Sequence, residues 1–313
     1  MARFLLSRIL GAIPTTLIVT IVVFLLMRAI PGDPAALMLG DLAEPEQVAA
    51  MRARMGLDEP IAVQYFVWLG DMLRGDLGYS IVNQEPVLPL ILDRFAVSAS
   101  IVLSAVIVAA AIAIPAGMIA AWRQNSFSDV SIVIAATLSL SVPSFWVGLM
   151  FLLVFGLWLN WLPIVGFVPV TQDVWGGLAY LIMPVATLVL VELGSLARMA
   201  RASTIEIARL DYITHARAKG LSESQVMWRH AFRNAFAPTW TLIGLILGSL
   251  LANISVIETV FTIPGLGRLM IDAIYARDYP VVQGCLLFIA LIYVAVNLLV
   301  DAVYPLLDPK VRA

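Results

Sequence analysis

The chain has 313 residues, of which 61% are hydrophobic and 13% charged, with a formal net charge of −2 and a single cysteine. A soluble domain is nearer half apolar and a quarter charged, so this composition excludes an ordinary soluble fold and a disordered chain. The lone cysteine excludes a disulfide scaffold, and the near-neutral charge carries no footprint for nucleic acid.

A helix needs roughly 20 apolar residues to cross about 30 Å of hydrocarbon. Six stretches qualify, at about residues 9–30, 97–122, 130–158, 178–197, 240–257 and 281–300. Continuous apolar runs rather than short alternating ones predict an all-α membrane protein with six transmembrane helices. The first run follows Arg3 and Arg8 as a signal peptide would. It is too long for one and no convincing small-residue cleavage site follows, so it is read as an uncleaved helix. Residues 1–30 form the N-terminus and first span, 31–95 an outer segment, and 96–313 a five-helix core with a loop at about 199–238.

Small residues recur at four-residue spacing in two spans: Ala109, Ala113 and Gly117, then Gly244 and Gly248. Such stripes let helices approach closely in lipid. Pro14, Pro115, Pro143 and Pro184 lie inside spans and predict kinks. Positive charge sets the orientation. The loop after the fourth span carries Arg198, Arg201, Arg209, Arg217, Lys219, Arg229 and Arg233, whereas the loop before it has no Lys or Arg. With Arg3, Arg8, Lys310 and Arg312 at the ends, both termini are expected in the cytoplasm, and residues 31–95 outside.

That outer segment holds ten acidic residues (Asp33, Asp41, Glu44, Glu46, Asp58, Glu59, Asp71, Asp76, Glu85 and Asp93) and five aromatics including Phe95. Its length and apolar content predict a small folded cap. The loop at 201–238 is expected to hold two helices that meet at Gly220. Ile205, Ala208, Tyr212 and Ala216 share one face of the first helix. Gly220 suits the left-handed residue after its end, and Ser222 with Gln225 has capping-box spacing. Spacing alone leaves two uses open, a docking projection or an amphipathic anchor on anionic lipid.

Much chemistry is missing. His215 and His230 sit in the loop and Cys285 stands alone in the last span, so no cluster has metal-ligand spacing. No span contains a histidine, and there is no G-x-S-x-G elbow for a membrane hydrolase. Lys219 precedes Gly220 and Lys310 precedes Val311, so neither lysine belongs to a phosphate-binding G-x-x-x-x-G-K-[ST] loop. Charges in a span usually face a cavity or a partner. Glu192 is expected to pair with Arg198 or Arg201 more than to touch substrate, and Asp301 to reach the cytoplasmic interface. Ser141, Ser144, Glu192, Asn253 and Asn297 are candidates for lining a pathway.

The run D-Y-I-T-H-A-R-A-K-G-L at residues 211–221 resembles the EAA loop of binding-protein-dependent ABC importer permeases, in the version of the dipeptide/oligopeptide/nickel family. Thr214 and His215 stand where the general pattern has Glu and Ala, a departure usual among peptide permeases. Further segments are similar along almost the whole chain. They are Ile30-Pro31-Gly32-Asp33-Pro34, Gly56-Leu57-Asp58-Glu59-Pro60, Gln64-Tyr65, Trp68-Leu69 and Gly75-Asp76-Leu77-Gly78-Tyr79-Ser80. Later come Glu258-Thr259-Val260-Phe261, Pro264-Gly265-Leu266-Gly267, residues 277–284 from Arg277-Asp278-Tyr279-Pro280, and Asp308-Pro309. The opening motif and long outer segment look like the first of the two permease subunits in such systems.

The resemblance implies a type I importer permease fold and ATP-driven uptake of dipeptides or oligopeptides, or of glutathione or a nickel chelate. It implies a second, similar permease chain, two ATP-binding cassette subunits holding ATP and Mg, and an extracytoplasmic substrate-binding protein. The chain itself would bind no cofactor. Asp211, Tyr212, His215, Ala216, Arg217, Ala218, Lys219, Gly220, Leu221, Arg229, His230 and Arg233 would couple to the ATPase, and Asp33, Asp58, Glu59 and Asp76 would lie under the binding protein. An ion-gradient-driven secondary transporter is the other class; it calls for inverted repeats and paired intramembrane charges, and only Glu192 comes near qualifying.

Overall fold

The computed structural model describes residues 2–29, 32–39 and 44–307. Ile30 and Pro31 of the first turn motif, Asp41, Asp308, Pro309, Lys310 and Arg312 lie outside them. The described residues form helices α1 (Ala2–Ala29), α2 (Pro34–Leu39), α3 (Pro45–Arg54), α4 (Ile61–Leu73), α5 (Val87–Trp122), α6 (Phe127–Ser141) and α7 (Ser144–Phe151). A π-helical turn, Leu152–Trp158, extends α7. Then come α8 (Val174–Ala208), α9 (Asp211–Ala218), α10 (Glu223–Gln225), a second π-helical turn (Val226–Ala231), α11 (Phe232–Asn253), α12 (Ser255–Val260), α13 (Leu266–Tyr275) and α14 (Tyr279–Leu307).

Among the described residues, five helices are long and apolar enough to cross a membrane. The sixth expected span, 130–158, is not one continuous helix: α6 and the α7 segment meet at 95°. The cause is local. Pro143 offers no N–H and pushes the residue before it out of the helical region, and Val142 is extended at φ −102°, ψ 126°.

α5 and α8 form the central pair, with α6 and α11 against α8 and α14 against both α11 and α1. Small residues set these approaches. Ala109 and Ala113 are buried on α5. A Cβ at Gly117 would meet the Ala197 carbonyl, and ones at Gly244 and Gly248 would meet Val300 and Tyr293 of α14. The main core runs from Ile101 and Val102 through Leu188 and Leu196 to Ile246 and Ile263.

The two ends of the bundle differ. At one end Trp122 of α5 contacts the 209–231 loop, and Arg8 pairs with Asp301 at 3.3 Å. The Trp240 indole donates to the Val300 carbonyl at 3.2 Å, which keeps the end of α14 beside the start of α11. The N-terminal end of α1 and the C-terminal end of α14 therefore share the loop's side. Asp301 is thus ion-paired rather than simply reaching for the interface.

The other end carries the cap. α4 packs on α1 through Phe24, Tyr65 and Trp68, and the Thr20 and Tyr65 hydroxyls are 2.8 Å apart. Two quoted motifs meet there. Asp278 accepts from the Ser80 hydroxyl and from the Ile81 N–H at 3.1 Å. Glu258, fully buried, accepts from the Ser98 hydroxyl and from the Arg268 N–H at 2.8 Å, while Ser98 accepts from the Leu266 N–H at 2.8 Å.

Candidate functional site

α8 ends at Ala208, where Arg209 and Leu210 turn the chain through bonds to the Glu206 and Ile207 carbonyls. The expected first helix of the loop is therefore two: the tail of α8, and α9 starting at Asp211. Leu210 is extended at ψ 146°, and its carbonyl accepts from Ile213 N–H at 3.0 Å, which starts α9. The break changes the buried face. Ile213 and Ala216 point inward, to a cluster with Val226 and Ala231 flanked by Trp122, Ile207 and Leu221, while Tyr212 stays exposed.

Gly220 ends α9 at φ +80°, with no atom within 4 Å of where a Cβ would stand. Its requirement is conformational rather than steric. The expected capping box is present: Ser222 Oγ accepts from Gln225 N–H at 3.4 Å, and Gln225 Oε1 accepts from Ser222 N–H at 3.1 Å. Glu223 then ties the projection to the bundle. It accepts from Arg217 at 2.9 and 3.1 Å and from the Trp122 indole at 2.7 Å, and Arg217 lies 5.2 Å above the Trp122 ring. Asn234 donates to the Tyr212 hydroxyl at 2.8 Å. An aromatic ladder runs from the second π-helical turn into α11: Trp228, Phe232, Phe236 and Trp240, with successive centroids 6.0, 5.5 and 6.1 Å apart.

Of the residues expected to couple, Ala216 is buried and Leu221 and His230 are half-buried. Asp211, Tyr212, His215, Arg217, Ala218, Lys219, Gly220, Arg229 and Arg233 are exposed. A short helix clamped on its apolar face to α5, α8 and the start of α11, with its polar face outward, can be pushed by a body outside the membrane. It would move those three helices together.

The candidates elsewhere do not converge. Ser141 donates to the Thr137 carbonyl at 2.9 Å and Asn253 to the Ser249 carbonyl at 2.9 Å, so both bond within their own helices. Ser144 starts α7, and Asn297 is half-buried on α14. Glu192 is half-buried on α8, and the expected pairing with Arg198 or Arg201 does not form. Arg201 instead binds Asp129 of α6 with both prongs, at 2.6 and 2.9 Å. Sequence reasoning missed that pair, as well as Ser98–Glu258 and Ser80–Asp278. The available signal was an acid beside a glycine or proline turn in apolar surroundings, as at Glu258 and Asp278.

On the cap, Asp33 and Asp58 both pair with Arg52, at 2.8 and 3.1 Å. The Arg52 guanidinium holds the Asp33 carboxyl below the usual carboxylate range. Asp76 accepts from the Gly78 N–H at 2.8 Å, while Glu59 is exposed.

Comparison with known proteins agrees with this architecture over the whole chain. The profile of the family described as "binding-protein-dependent transport system inner membrane component" matches residues 113–313, and its N-terminal companion matches residues 1–102. A putative peptide transport system permease of Brucella abortus is 43% identical over 312 residues, covering 100% of this chain and 99% of the relative. A dipeptide transport system permease of Alkalihalophilus pseudofirmus is 36% identical, with 100% of both chains covered. A glutathione transport system permease of Escherichia coli is 37% identical, covering 100% of this chain and 99% of the relative.

Proposed function

The chain belongs to the binding-protein-dependent transport system inner membrane components, and from that premise we propose that it imports dipeptides or oligopeptides as the first of two similar permease chains. The chain is an ABC importer permease of a bacterial inner membrane. ATP and Mg are bound by two partner ATPase subunits on the cytoplasmic side, where the α8–α11 loop and both termini lie. An extracytoplasmic binding protein delivers the substrate to the cap end. Alternating access opens the pathway first outward and then inward, driven by ATP binding and hydrolysis on the partners.

The observation that supports this reading best is the clamped α9. Its inner face is fixed by Ile213 and Ala216 and its outer face is exposed, so a docked ATPase can transmit motion through it. The peptide substrate is supported by the Brucella and Alkalihalophilus relatives. Glutathione, itself a short peptide, is the second reading, favoured by the E. coli relative.

The test uses the complete complex in proteoliposomes with labelled dipeptide, a longer peptide and glutathione. Ile213→Asp places a charge in a fully buried site and is expected to release α9, abolishing ATPase association and uptake. The exposed double variant His215→Glu/Lys219→Glu leaves the fold intact and is expected to weaken ATPase association. Association unchanged in both, or uptake by this chain in ATP-free vesicles, would overturn the coupling reading.

A further inference from the structure

The cap acids expected under a binding protein are largely spent within the chain. Asp33 and Asp58 hold Arg52, and Asp76 holds a turn. Asp278 and Glu258 are buried on hydroxyls and backbone N–H groups. Two guanidiniums are left less well matched. Arg94, near the cap end of α5, donates to the Pro264 carbonyl at 3.3 Å and has no carboxylate partner among the described residues. Arg268, in the first turn of α13, has a long 3.8 Å contact to Asp272, whose side chain is 67% exposed. Both line one open cavity of about 280 Å³, together with Pro264, Gly265, Leu269 and Asp272. Glu258 lies fully buried, with its oxygens engaged by Ser98 and the Arg268 N–H.

We infer that this cavity receives an acidic side chain of the extracytoplasmic binding protein, an inference that rests on the function proposed above. Two forked donors on a fixed backbone turn match one carboxylate. Placement decides the source. The cavity sits at the cap end, where a soluble partner lands, and Leu269 and Pro264 are its main apolar walls, too little for acyl chains. The surrounding cap is rich in acids, so an acidic partner is repelled elsewhere and accepted here. A basic spot in an acidic field sets docking register and speeds encounter more than it adds raw affinity.

The test is binding-protein-stimulated ATPase activity of the full complex in nanodiscs, titrated with peptide-loaded binding protein. Arg94→Gln and Arg268→Gln are each expected to raise the concentration for half-maximal stimulation about tenfold, with the maximal rate unchanged and the salt dependence flattened. Arg94→Lys, which keeps the charge but not the fork, is expected to show a smaller rise than Arg94→Gln, and Arg74→Gln, an exposed cap control, to stay within about twofold of wild type. A photo-crosslinking residue at position 272 is expected to capture the binding protein. Unchanged half-maximal concentration in both glutamine variants, or crosslinks to lipid or peptide alone, would overturn the inference. Absence of stimulation in the wild-type complex would instead overturn the proposed function, so the two failures are distinct.

Discussion

Replacing Arg201 with alanine is expected to cost about 3 kcal/mol and to lower the apparent melting temperature of the detergent-solubilised chain by several degrees. The Asp129 side chain is only 4% exposed, and its two oxygens are bound by Arg201 at 2.6 and 2.9 Å. One of those oxygens also accepts from the Asn125 N–H at 2.9 Å, which closes the turn between α5 and α6. Removing the guanidinium leaves a little-exposed carboxylate with a single backbone donor, and truncating one partner of such a pair costs more than the pair itself contributes. The double variant Asp129→Leu/Arg201→Met, which removes both charges and keeps volume, is expected to recover most of the loss. Intrinsic tryptophan fluorescence during a thermal ramp reads both. An Arg201→Ala chain that melts within a degree of wild type would show that the pair does not hold α6 to α8.

This pair also shows where reading a linear chain stops. Arg201 and Asp129 are 72 residues apart, whereas Glu192 stands close to Arg198 and Arg201 along the same helix, so nearness in the chain favoured it. Pairing across helices depends on which faces meet, and hydropathy does not encode that. The kink expected at Pro143 was legible, but not its 95° size, because both arms are apolar and summed hydropathy is blind to direction. The turn at Arg209–Leu210 was hidden as well, where no glycine or proline marks the end of α8. Features fixed by local chemistry were legible. Gly220 has the positive φ that its position after α9 suggested, and Ser222 and Gln225 form the box that their spacing suggested. The small-residue stripes were legible too, since close approach in lipid requires the absence of side chains.

Those stripes carry the second large expectation. Gly117→Ala, a single added methyl group, is expected to destabilise the chain by about 2 kcal/mol and to lower uptake by the assembled complex. A Cβ at position 117 would press on the Ala197 carbonyl and stand 3.0 Å from both Ala200 Cβ and the Arg201 N–H. The obstruction is mostly backbone, which no rotamer change relieves, so α5 and α8 must separate or slide. These two helices carry Trp122 and Ile207 to the α9 cluster, and α8 carries Arg201 to Asp129, so a shift at Gly117 disturbs both attachments. Gly11→Ala is the matched control: it lies within α1 with nothing within 4 Å of its added methyl, and helix propensity alone predicts no loss. Melting temperature and uptake measured on the two variants side by side separate packing from propensity. Equal behaviour of Gly117→Ala and Gly11→Ala would mean that α5 and α8 do not approach as closely as Gly117 permits. A loss confined to Gly117→Ala would place a close helix contact of the bundle beside the loop through which the chain is driven.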